Sequence, residues 1–559
     1  MKLKTFLLLT IISFFIVSCG DSWLDTKPKG TASFENFQNK KGVEDLLVGA
    51  YKNINGHNGS TGEGWASAVS NWVFGSVCSD DAYKGSNPGD QSQINLLEDF
   101  SVDAANSYLN DRWRMYFDGI ARVNTVLNAN KLAPDMTDAE KILIEAQAKF
   151  LRAHYYFELT IVYGKVPYID ENTEKAELVP NDHVLWKEME TDLQFAIDNL
   201  PLTWTDKGRP TKWAAKTFMS RVYLFQDKFA EARTLLKDIY DNGGFTLVSD
   251  YQMNYLVSTN NNSESIFEIQ YAVNDGFTTN SNSGSGICGP HFIGSSGFFQ
   301  PSHSLVSAHR VDNSGLPLLD DTYSVDDILP YSNTGEEVLY KGLVDPRLDK
   351  GLARPGVPIF DWGIHQGDVW IRNPNNGGPY INKKEFFYKS EFGTVNSNSG
   401  RNFLNANNCR KYKLSHVILW LAECETEIGS LQEATRLVNL IRNRAKNSPV
   451  VKFDDGTPAA NYLIEPYSTD FPSQEYARKA IRMEMRIEFS MEGQRFFDLV
   501  RWGIAESVLN NYMEVESTVI GYYEGKHFTK GQNEIFPIPQ IQIDLSNLET
   551  EILKQNVGY

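Results

Sequence analysis

The most informative stretch of the chain is residues 481–503, which read IRMEMRIEFSMEGQRFFDLVRWG. Apolar and charged side chains recur there at steps of three and four residues, which predicts one long, half-buried helix. On such a helix two clusters of charged side chains are expected to form, each on one face. One is Glu488, Glu492 and Arg495, and the other is Asp498 and Arg501. The aromatic side chains of Phe496, Phe497 and Trp502 are expected to enter the core.

Paired carboxylates in this stretch also allow a catalytic interpretation, because glycoside hydrolases use two acidic side chains. Such a pair must converge on a cleft, and nothing in the spacing of Glu488 and Glu492 indicates one. Ion pairs between arginines and glutamates on a packed helix explain the same residues more simply. The stretch is therefore interpreted as structural.

The same residues resemble the signature helix of the RagB/SusD family of outer-membrane nutrient-binding lipoproteins. That family reads Arg-x-Glu-Arg-x-x-Glu-Phe/Leu, then Glu-Gly-x-Arg, then Asp-Leu-x-Arg-Trp-Gly. One position departs from the pattern, since Met485 stands where the family has an arginine, and one ion-pair partner is lost. The matching residues are Arg482, Glu484, Arg486, Glu488, Phe489, Glu492, Gly493, Arg495, Asp498, Leu499, Arg501, Trp502 and Gly503.

The N-terminus has the composition of a lipoprotein signal. Lys2 and Lys4 precede an apolar run, 6–17, that is too short to span a bilayer, and Ser18-Cys19-Gly20 follows. A small residue before a cysteine resembles a bacterial lipobox, so we expect a signal peptide over 1–18 and an acylated, palmitate-bearing Cys19 at the start of a tether, 19–40. A plain secreted protein is the alternative.

Composition excludes some classes of function. The chain has 559 residues and a net charge of −18, a balance that disfavours binding to nucleic acid or to anionic membranes. Its 11 Trp, 26 Tyr and 32 Phe are numerous enough to supply flat platforms for sugar rings as well as core.

Motifs for catalysis and metal binding are missing from the sequence. It has no Gly-x-Ser-x-Gly, His-Glu-x-x-His or Walker pattern, and its four other cysteines lie far apart, so no cofactor is expected. Whether those cysteines form disulfides is left open. An acidic stretch allows Ca²⁺ but lacks the spacing of a known calcium loop, and a solvated loop is the simpler interpretation. The stretch contains Asp320, Asp321, Asp326 and Asp327.

Helical periodicity dominates two parts of the chain, about 41–241 and 411–503. Two helical pairs have the same form, with Phe229-Ala-Glu-Ala232 and Leu431-Gln-Glu-Ala434 at equivalent places. Pairs of roughly 34 residues are typical of tetratricopeptide-like units, which bury their faces only by stacking. We therefore predict a mainly all-α, tetratricopeptide-like scaffold with helices at 41–55, 105–130, 137–163, 183–200, 211–226, 228–241, 413–428 and 430–446.

The region from about 245 to 410 differs, because it is rich in Gly, Asn, Ser and Pro with short strand-like runs. We predict that it forms an irregular lobe of loops and short strands. Further motifs there and elsewhere resemble the same family, so the resemblance extends over residues 19–559. We predict that residues 41–559 form one SusD-like domain. They are Lys149–Phe157, Glu264–Glu268, Asp345–Arg347 and a closing signature over 535–559.

Sugar binding needs an aromatic platform and planar polar side chains, and two loop regions offer both. The first contains Asp81, Tyr83 and Lys84, and the second contains Trp362, Trp370, Arg372 and Tyr380. Packing inside the lobe is the competing explanation for each ring. Because family members bind ligands on variable loops, no binding residue can be transferred from a matching motif.

The resemblance implies a surface-exposed outer-membrane lipoprotein that captures an oligosaccharide or polysaccharide. It implies delivery to a partner, a SusC-like TonB-dependent transporter, on which the protein acts as a lid. Two alternatives stay open. One is the same architecture with a peptide ligand. The other is an exported helical glycan-degrading enzyme, in which Asp81 and Asp361 are the first carboxylates to test.

Overall fold

The computed structural model describes residues 33–56, 65–277, 280–282, 284, 288–319, 340–397, 404–548 and 550–559. The expected signal peptide, Cys19 and most of the tether lie outside the described residues, as does the acidic stretch from Asp320 to Asp327.

Helices form most of the regular structure. In chain order they are α1 (Lys40–Lys52), α2 (Gln93–Glu98), α3 (Ser107–Leu132), α4 (Asp138–Tyr163), α5 (Trp186–Asn199), α6 (Lys212–Leu224), α7 (Phe229–Asn242), α8 (His303–Ser307), α9 (Arg347–Gly351), α10 (Pro374–Gly377), α11 (Leu414–Ile428), α12 (Leu431–Asn447), α13 (Gln474–Glu488), α14 (Arg495–Arg501), α15 (Ala505–Glu516) and α16 (Gln540–Ser546).

The long helices pack as a row of antiparallel neighbours. The order of contact is α3, α4, α5, α6, α7, α11 and α12, with α13 packed on α11. The two pairs α6–α7 and α11–α12, which are distant in sequence, therefore lie side by side. Arg233 of α7 also pairs with Glu425 of α11, Nε to Oε1 at 2.7 Å. This confirms the mainly helical, tetratricopeptide-like fold.

Local signals placed the helix boundaries well. Thr137 and Glu140 form the expected capping box at the start of α4, and Gly164 ends that helix with φ +69°. Phe229 and Leu431 each begin the second helix of a pair. The helix expected over 41–55 ends at Lys52 and continues as a 3-10 turn, Asn53–Asn55.

The single helix predicted over 481–503 is wrong. α13 ends at Glu488, a turn follows, and α14 begins at Arg495. Met491 and Gly493 in that turn have φ of +61° and +70°. A Cβ on Gly493 would lie 1.8 Å from the carbonyl oxygen of Ser70. The close approach of two backbones in this turn therefore leaves no room for a side chain at residue 493.

One of the two predicted charge clusters is also wrong, because the turn separates its members. Asp498 and Arg501 do pair within α14, Oδ1 to Nε at 2.8 Å. The other three residues each bind a different part of the chain: Glu488 binds Arg444 and Arg347, Glu492 binds Lys384 and Lys413, and Arg495 binds Asp80. The signature therefore fastens segments together rather than pairing with itself.

Short strands and 3-10 turns fill much of 245–410. The strands are β1 (Ala82–Gly85), β2 (Ser265–Ile269), β3 (Phe298–Pro301), β4 (Leu343–Val344), β5 (Leu352–Ala353), β6 (Ile381–Asn382), β7 (Cys409–Lys413) and β8 (Asn461–Tyr462). They pair as β1–β3, β2–β7 and β5–β6, antiparallel, and β4–β8, parallel. A large core follows the helices, and a smaller aromatic core lies in this region, around Phe386 and Phe387.

The closing segment is fixed to the end of α4. The amide N–H of Phe536 donates to the carbonyl oxygen of Val162 at 2.8 Å. The side chain of Asn556 donates to the carbonyl oxygens of Tyr163 and Phe536 at 2.9 and 2.7 Å. Among the residues described, Cys78, Cys288, Cys409 and Cys424 are free thiols.

Candidate functional site

The two loop regions predicted for sugar binding lie together. Tyr83 of β1 is paired with Gln300 of β3, and the side chain of Asn376 donates to the carbonyl oxygens of Gly85 and Ser86 at 2.9 and 3.2 Å. Gln300 in turn donates to the carbonyl oxygens of Gly378 and Tyr380. β3 thus joins the segment around residue 85 to the segment around residue 376.

Lys84 shapes the first loop from inside. Its side chain is buried, and its Nζ donates to the carbonyl oxygens of Asn87, Pro88 and Asp90 at 3.0, 3.2 and 2.9 Å. One cation thereby fixes the backbone of the short loop 87–90. The lysine positions Asp90 but presents no surface of its own to a ligand.

Three other predicted residues are also buried. Asp81 pairs with Arg486, Tyr83 donates to Glu516 at 2.5 Å, and the hydroxyl of Tyr380 lies 3.2 Å from His303 Nδ1. None is more than 2% exposed, so none offers a platform to a sugar in this structure. For these rings and this carboxylate, packing within the chain is the role that the contacts show.

Trp362 and Trp370 lie in the small aromatic core and remain partly exposed. The ring of Trp370 stacks on Phe292, with centroids 4.0 Å apart and 21° between the planes. Trp362 stacks on Phe386 at 5.4 Å and 24°, and meets Phe292 edge-on at 5.5 Å. Its indole N–H donates to the carbonyl oxygen of Phe387 at 2.8 Å. Each tryptophan thus has one face covered by a phenylalanine, which fixes its orientation.

Exposed apolar side chains surround these rings. Ile364 is 44% exposed, Val369 81% and Phe392 43%. Phe392 meets Trp362 edge-on at 6.2 Å. We call Phe292, Trp362, Trp370 and Phe392 the aromatic patch. Exposed apolar side chains clustered around aromatic rings are a candidate binding surface.

A polar rim adjoins the aromatic patch. Arg372, two residues after Trp370, lies 3.6 Å from the carboxylate of Asp90, Nη1 to Oδ2, and both side chains are about one third exposed. A guanidinium and a carboxylate beside aromatic rings supply the planar donors and acceptors that sugar hydroxyls require. Of the predicted residues, the structure therefore brings Trp362, Trp370 and Arg372 to one surface.

Asp361 and Asp81, the two carboxylates proposed for an enzyme, have different surroundings. Asp361 is exposed and accepts hydrogen bonds from the amides of Lys389 and Ser390. Partial burial would raise the pKa of Asp361, but these hydrogen bonds lower it. Asp81 is buried against Arg486. Both carboxylates orient neighbouring groups of the chain.

The described ranges contain neither a candidate metal site nor a candidate membrane-spanning helix. No group of three or more His, Cys, Asp or Glu side chains there is placed to hold a metal ion. Nor does that part of the chain contain a helix with the length and apolar character needed to cross a bilayer.

A model described as the SusD family matches residues 263–559, more than half of the chain. The chain belongs to the SusD family. A second model, described as starch-binding and associating with the outer membrane, matches residues 22–224.

Relatives with similar sequences are SusD-like proteins. One from Bacteroides ovatus is 26% identical over 296 residues, which is 48% of this chain and 50% of that protein. The chain thus matches half the length of this relative. SusD-like protein P25 of Formosa agariphila is 22% identical over 551 residues, 91% of this chain and 92% of that protein.

Solved structures share the fold over nearly the whole chain. A laminarin binding SusD-like protein has a TM-score of 0.67 at 23% identity, covering 93% of this chain and all of the other. Surface glycan-binding protein A from Bacteroides thetaiotaomicron in complex with laminarihexaose has a TM-score of 0.68 at 21% identity, covering 93% and 99%. A SusD superfamily protein from Bacteroides vulgatus reaches 0.71 at 19% identity, covering 94% and 100%.

Sequence reasoning missed three members of this surface, Phe292, Phe392 and Asp90. Phe292 stands in a Gly- and Ser-rich stretch without periodicity, far from the tryptophans that it supports. Asp90 lies beyond the residues singled out in the first loop, and only its approach to Arg372 draws attention to it. A search for aromatics next to turn-forming Gly and Pro would have returned Phe292 among many others.

Proposed function

We propose that this protein binds an oligosaccharide or polysaccharide at the aromatic patch and its polar rim. The observation that carries the proposal is the fixed, partly exposed pair Trp362 and Trp370, with Arg372 and Asp90 beside it. C–H faces of sugar rings pack on exposed indole, while the rim pairs with hydroxyls. Glycan binding by structural neighbours of the same fold supports this assignment.

In this proposal the residues near the patch have two roles. Trp362, Trp370 and Arg372 contact the sugar. Asp81, Tyr83, Lys84 and Tyr380 hold the loops beneath it, because their side chains are buried and bonded within the chain. The protein acts by binding and not by catalysis.

We further propose the cellular setting that the family resemblance implies. Residues 1–18 would be removed as a signal peptide, and an acylated Cys19 would hold the protein on the outer membrane, facing the exterior. The bound glycan would pass to a SusC-like TonB-dependent transporter. The description of the second family model, associating with the outer membrane, supports this location.

A peptide is the second candidate ligand. Ile364 and Val369 are exposed beside the aromatic rings, and aliphatic side chains suit apolar residues of a peptide better than hydroxylated sugars. Sugar-binding surfaces favour the combination of indole and planar polar groups, which is also present. The two ligands are therefore best separated by experiment.

Affinity electrophoresis of soluble protein starting at Gly20 tests the proposal. Native gels would contain a panel of polysaccharides, and the same samples would be assayed for new reducing ends. Retardation by a glycan without new reducing ends is the expected result. Product formation would support an enzyme instead, and binding of oligopeptides without retardation by any glycan would support the second candidate.

A further inference from the structure

A small polar cavity lies where α6, the segment before β7 and the signature turn meet. Its volume is about 50 Å³, and its lining includes Asn71, Arg221, Lys384, Arg410 and Glu492. About 10–15 Å³ suffices for one water molecule, so the space holds a few water-sized species. Most of the lining side chains are polar, so the cavity can take a polar or charged occupant.

Arg221 is the unusual member of this lining. It is only 4% exposed, yet among the described residues no carboxylate lies within 4 Å of its guanidinium. Its charge lies over the rings of Phe157, Phe225 and Trp420 at 5.1, 5.9 and 6.0 Å. The polar side chain that interacts with the guanidinium is neutral: it is the hydroxyl of Tyr412.

A buried guanidinium without a carboxylate partner is costly. Charged groups inside proteins are paired or ligated, because moving one out of water costs roughly several kcal/mol unless a partner offsets the cost. Rings at 5–6 Å contribute a cation–π attraction, about 2 kcal/mol when desolvated. That attraction offsets only part of the cost and supplies no counter-charge.

The other cations of the cavity have carboxylate partners, but they share them. Lys384 pairs with Glu492 at 2.9 Å, Arg410 with Glu268 at 3.3 Å, and Lys411 with Glu158 at 2.7 Å. Glu492 also holds Lys413, and Glu158 also holds Arg112. In this closed set the cations outnumber the carboxylates.

Glu385 is the remaining acid of the lining and does not remove the surplus. Burial raises the pKa of its carboxyl to about 7, which keeps it partly protonated near neutral pH. The hydroxyl of Ser70 also faces the cavity and has no hydrogen-bond partner. It is a second donor next to a surplus of positive charge.

We propose that this cavity binds a small monovalent anion of halide size, held by Arg221 with the hydroxyl of Ser70. The anion neutralises the buried guanidinium and satisfies its donors. Because the lining comes from the scaffold, from the segment before β7 and from the signature turn, the bound anion ties these three parts together. Its effect is on the stability of the fold rather than on the glycan surface.

Bromide locates such a site directly. Crystals of the soluble protein would be soaked in sodium bromide and measured at the bromine absorption edge. We expect an anomalous peak next to the Arg221 guanidinium in the parent, and its loss in Arg221→Met, which keeps the apolar stem. Water density without an anomalous peak in the parent would overturn the proposal.

Thermal unfolding provides a second test that needs only the parent protein. We expect a higher Tm in sodium chloride than in sodium gluconate at equal ionic strength, because gluconate is too large for the cavity and a ligand of the native state stabilises it. The control variant Arg436→Met removes an arginine paired with Glu433 at the surface. It should still have a higher Tm in chloride than in gluconate. Equal Tm in the two salts, or an increment that persists in a folded Arg221→Met, would contradict anion binding.

Discussion

The ring of Trp370 lies on the ring of Phe292, with centroids 4.0 Å apart. Two residues from separate loops thereby form one platform, and Phe292 also meets Trp362 edge-on. The phenylalanine is the common support of both tryptophans. Its position explains how loops without regular structure can present rigid rings.

Replacement of Phe292 by alanine should weaken glycan binding although the phenylalanine lies beneath the indoles. An aromatic pair contributes about 0.5–1.5 kcal/mol beyond the area that it buries, so we expect a loss of a few-fold to about tenfold in affinity. Titration calorimetry with the retarded glycan measures it. Phe277→Ala is the matched control, because that ring is 68% exposed and outside the patch. Equal affinities of the parent and Phe292→Ala would show that the stack does not support binding.

Truncation of Trp362 should reduce glycan affinity more than truncation of Phe292, since it removes a proposed contact surface. We expect Trp362→Ala to weaken binding by about 1–3 kcal/mol, on the scale of stacking between bases and aromatic side chains. Trp362→Phe keeps a ring but loses the N–H that donates to Phe387, and should retain part of the affinity. If alanine and phenylalanine variants bind as the parent does, the sugar does not contact this ring.

Substitution of Arg372 should change glycan binding without changing the stability of the fold. Its ion pair with Asp90 is one third exposed, and such pairs contribute about 0–1 kcal/mol to folding. Arg372→Met should therefore leave the Tm nearly unchanged and weaken glycan binding by about 1 kcal/mol through lost hydrogen bonds to hydroxyls. A large fall in Tm without a change in affinity would assign the arginine to folding alone.

The turn between α13 and α14 depends on Gly493. Its φ is +70°, and a Cβ there would lie 1.8 Å from the Ser70 carbonyl oxygen. We expect Gly493→Ala to lower the free energy of unfolding by more than about 3 kcal/mol, because backbone must move. Gly503 is the control: its φ is +67° with no atom within 4 Å, so alanine should cost only about 1–2 kcal/mol. Similar urea midpoints for the two variants would contradict the close approach as the cause.

The free energy of unfolding should fall between pH 5 and pH 8 because Glu516 becomes ionised. Burial raises the pKa of this carboxyl to about 7, so the folded state favours its protonated form. The contribution is complete below the unfolded pKa, about 4.3, and is lost as pH rises through 7. Glu516→Gln mimics the protonated carboxyl. In the parent this side chain accepts hydrogen bonds from the hydroxyl of Tyr83 and from the amide of Ser304.

The variant should therefore match the parent near pH 5 and exceed it by about 1–3 kcal/mol near pH 8. Urea unfolding at both pH values measures the difference. A glutamine variant that is less stable than the parent at pH 8 would show that the native carboxyl is ionised there.

Periodicity and caps sufficed for the helical scaffold, because these signals are local. Thr137, Glu140 and Gly164 bound α4 as expected, and the equivalence of Phe229 and Leu431 anticipated the two pairs that stack. The turn around Gly493 could not be anticipated, since the backbone that it packs against, at Ser70, is remote in sequence.

The site was only partly predictable for the same reason. Trp362 and Trp370 are loop tryptophans, and composition alone draws attention to them. Tyr83 and Tyr380 have similar local sequence, yet the structure buries both, and the decisive contacts are with Glu516 and His303. Burial of a loop side chain depends on which distant segment covers it, and one sequence does not record that.

The central claim is that a glycan lies on the aromatic patch. The most direct test is a crystal structure of the soluble protein with an oligosaccharide derived from whichever polysaccharide retards it. We predict sugar density against Trp362 and Trp370, with a hydroxyl within hydrogen-bond distance of Arg372. Sugar bound elsewhere, with these rings bare, would contradict the account.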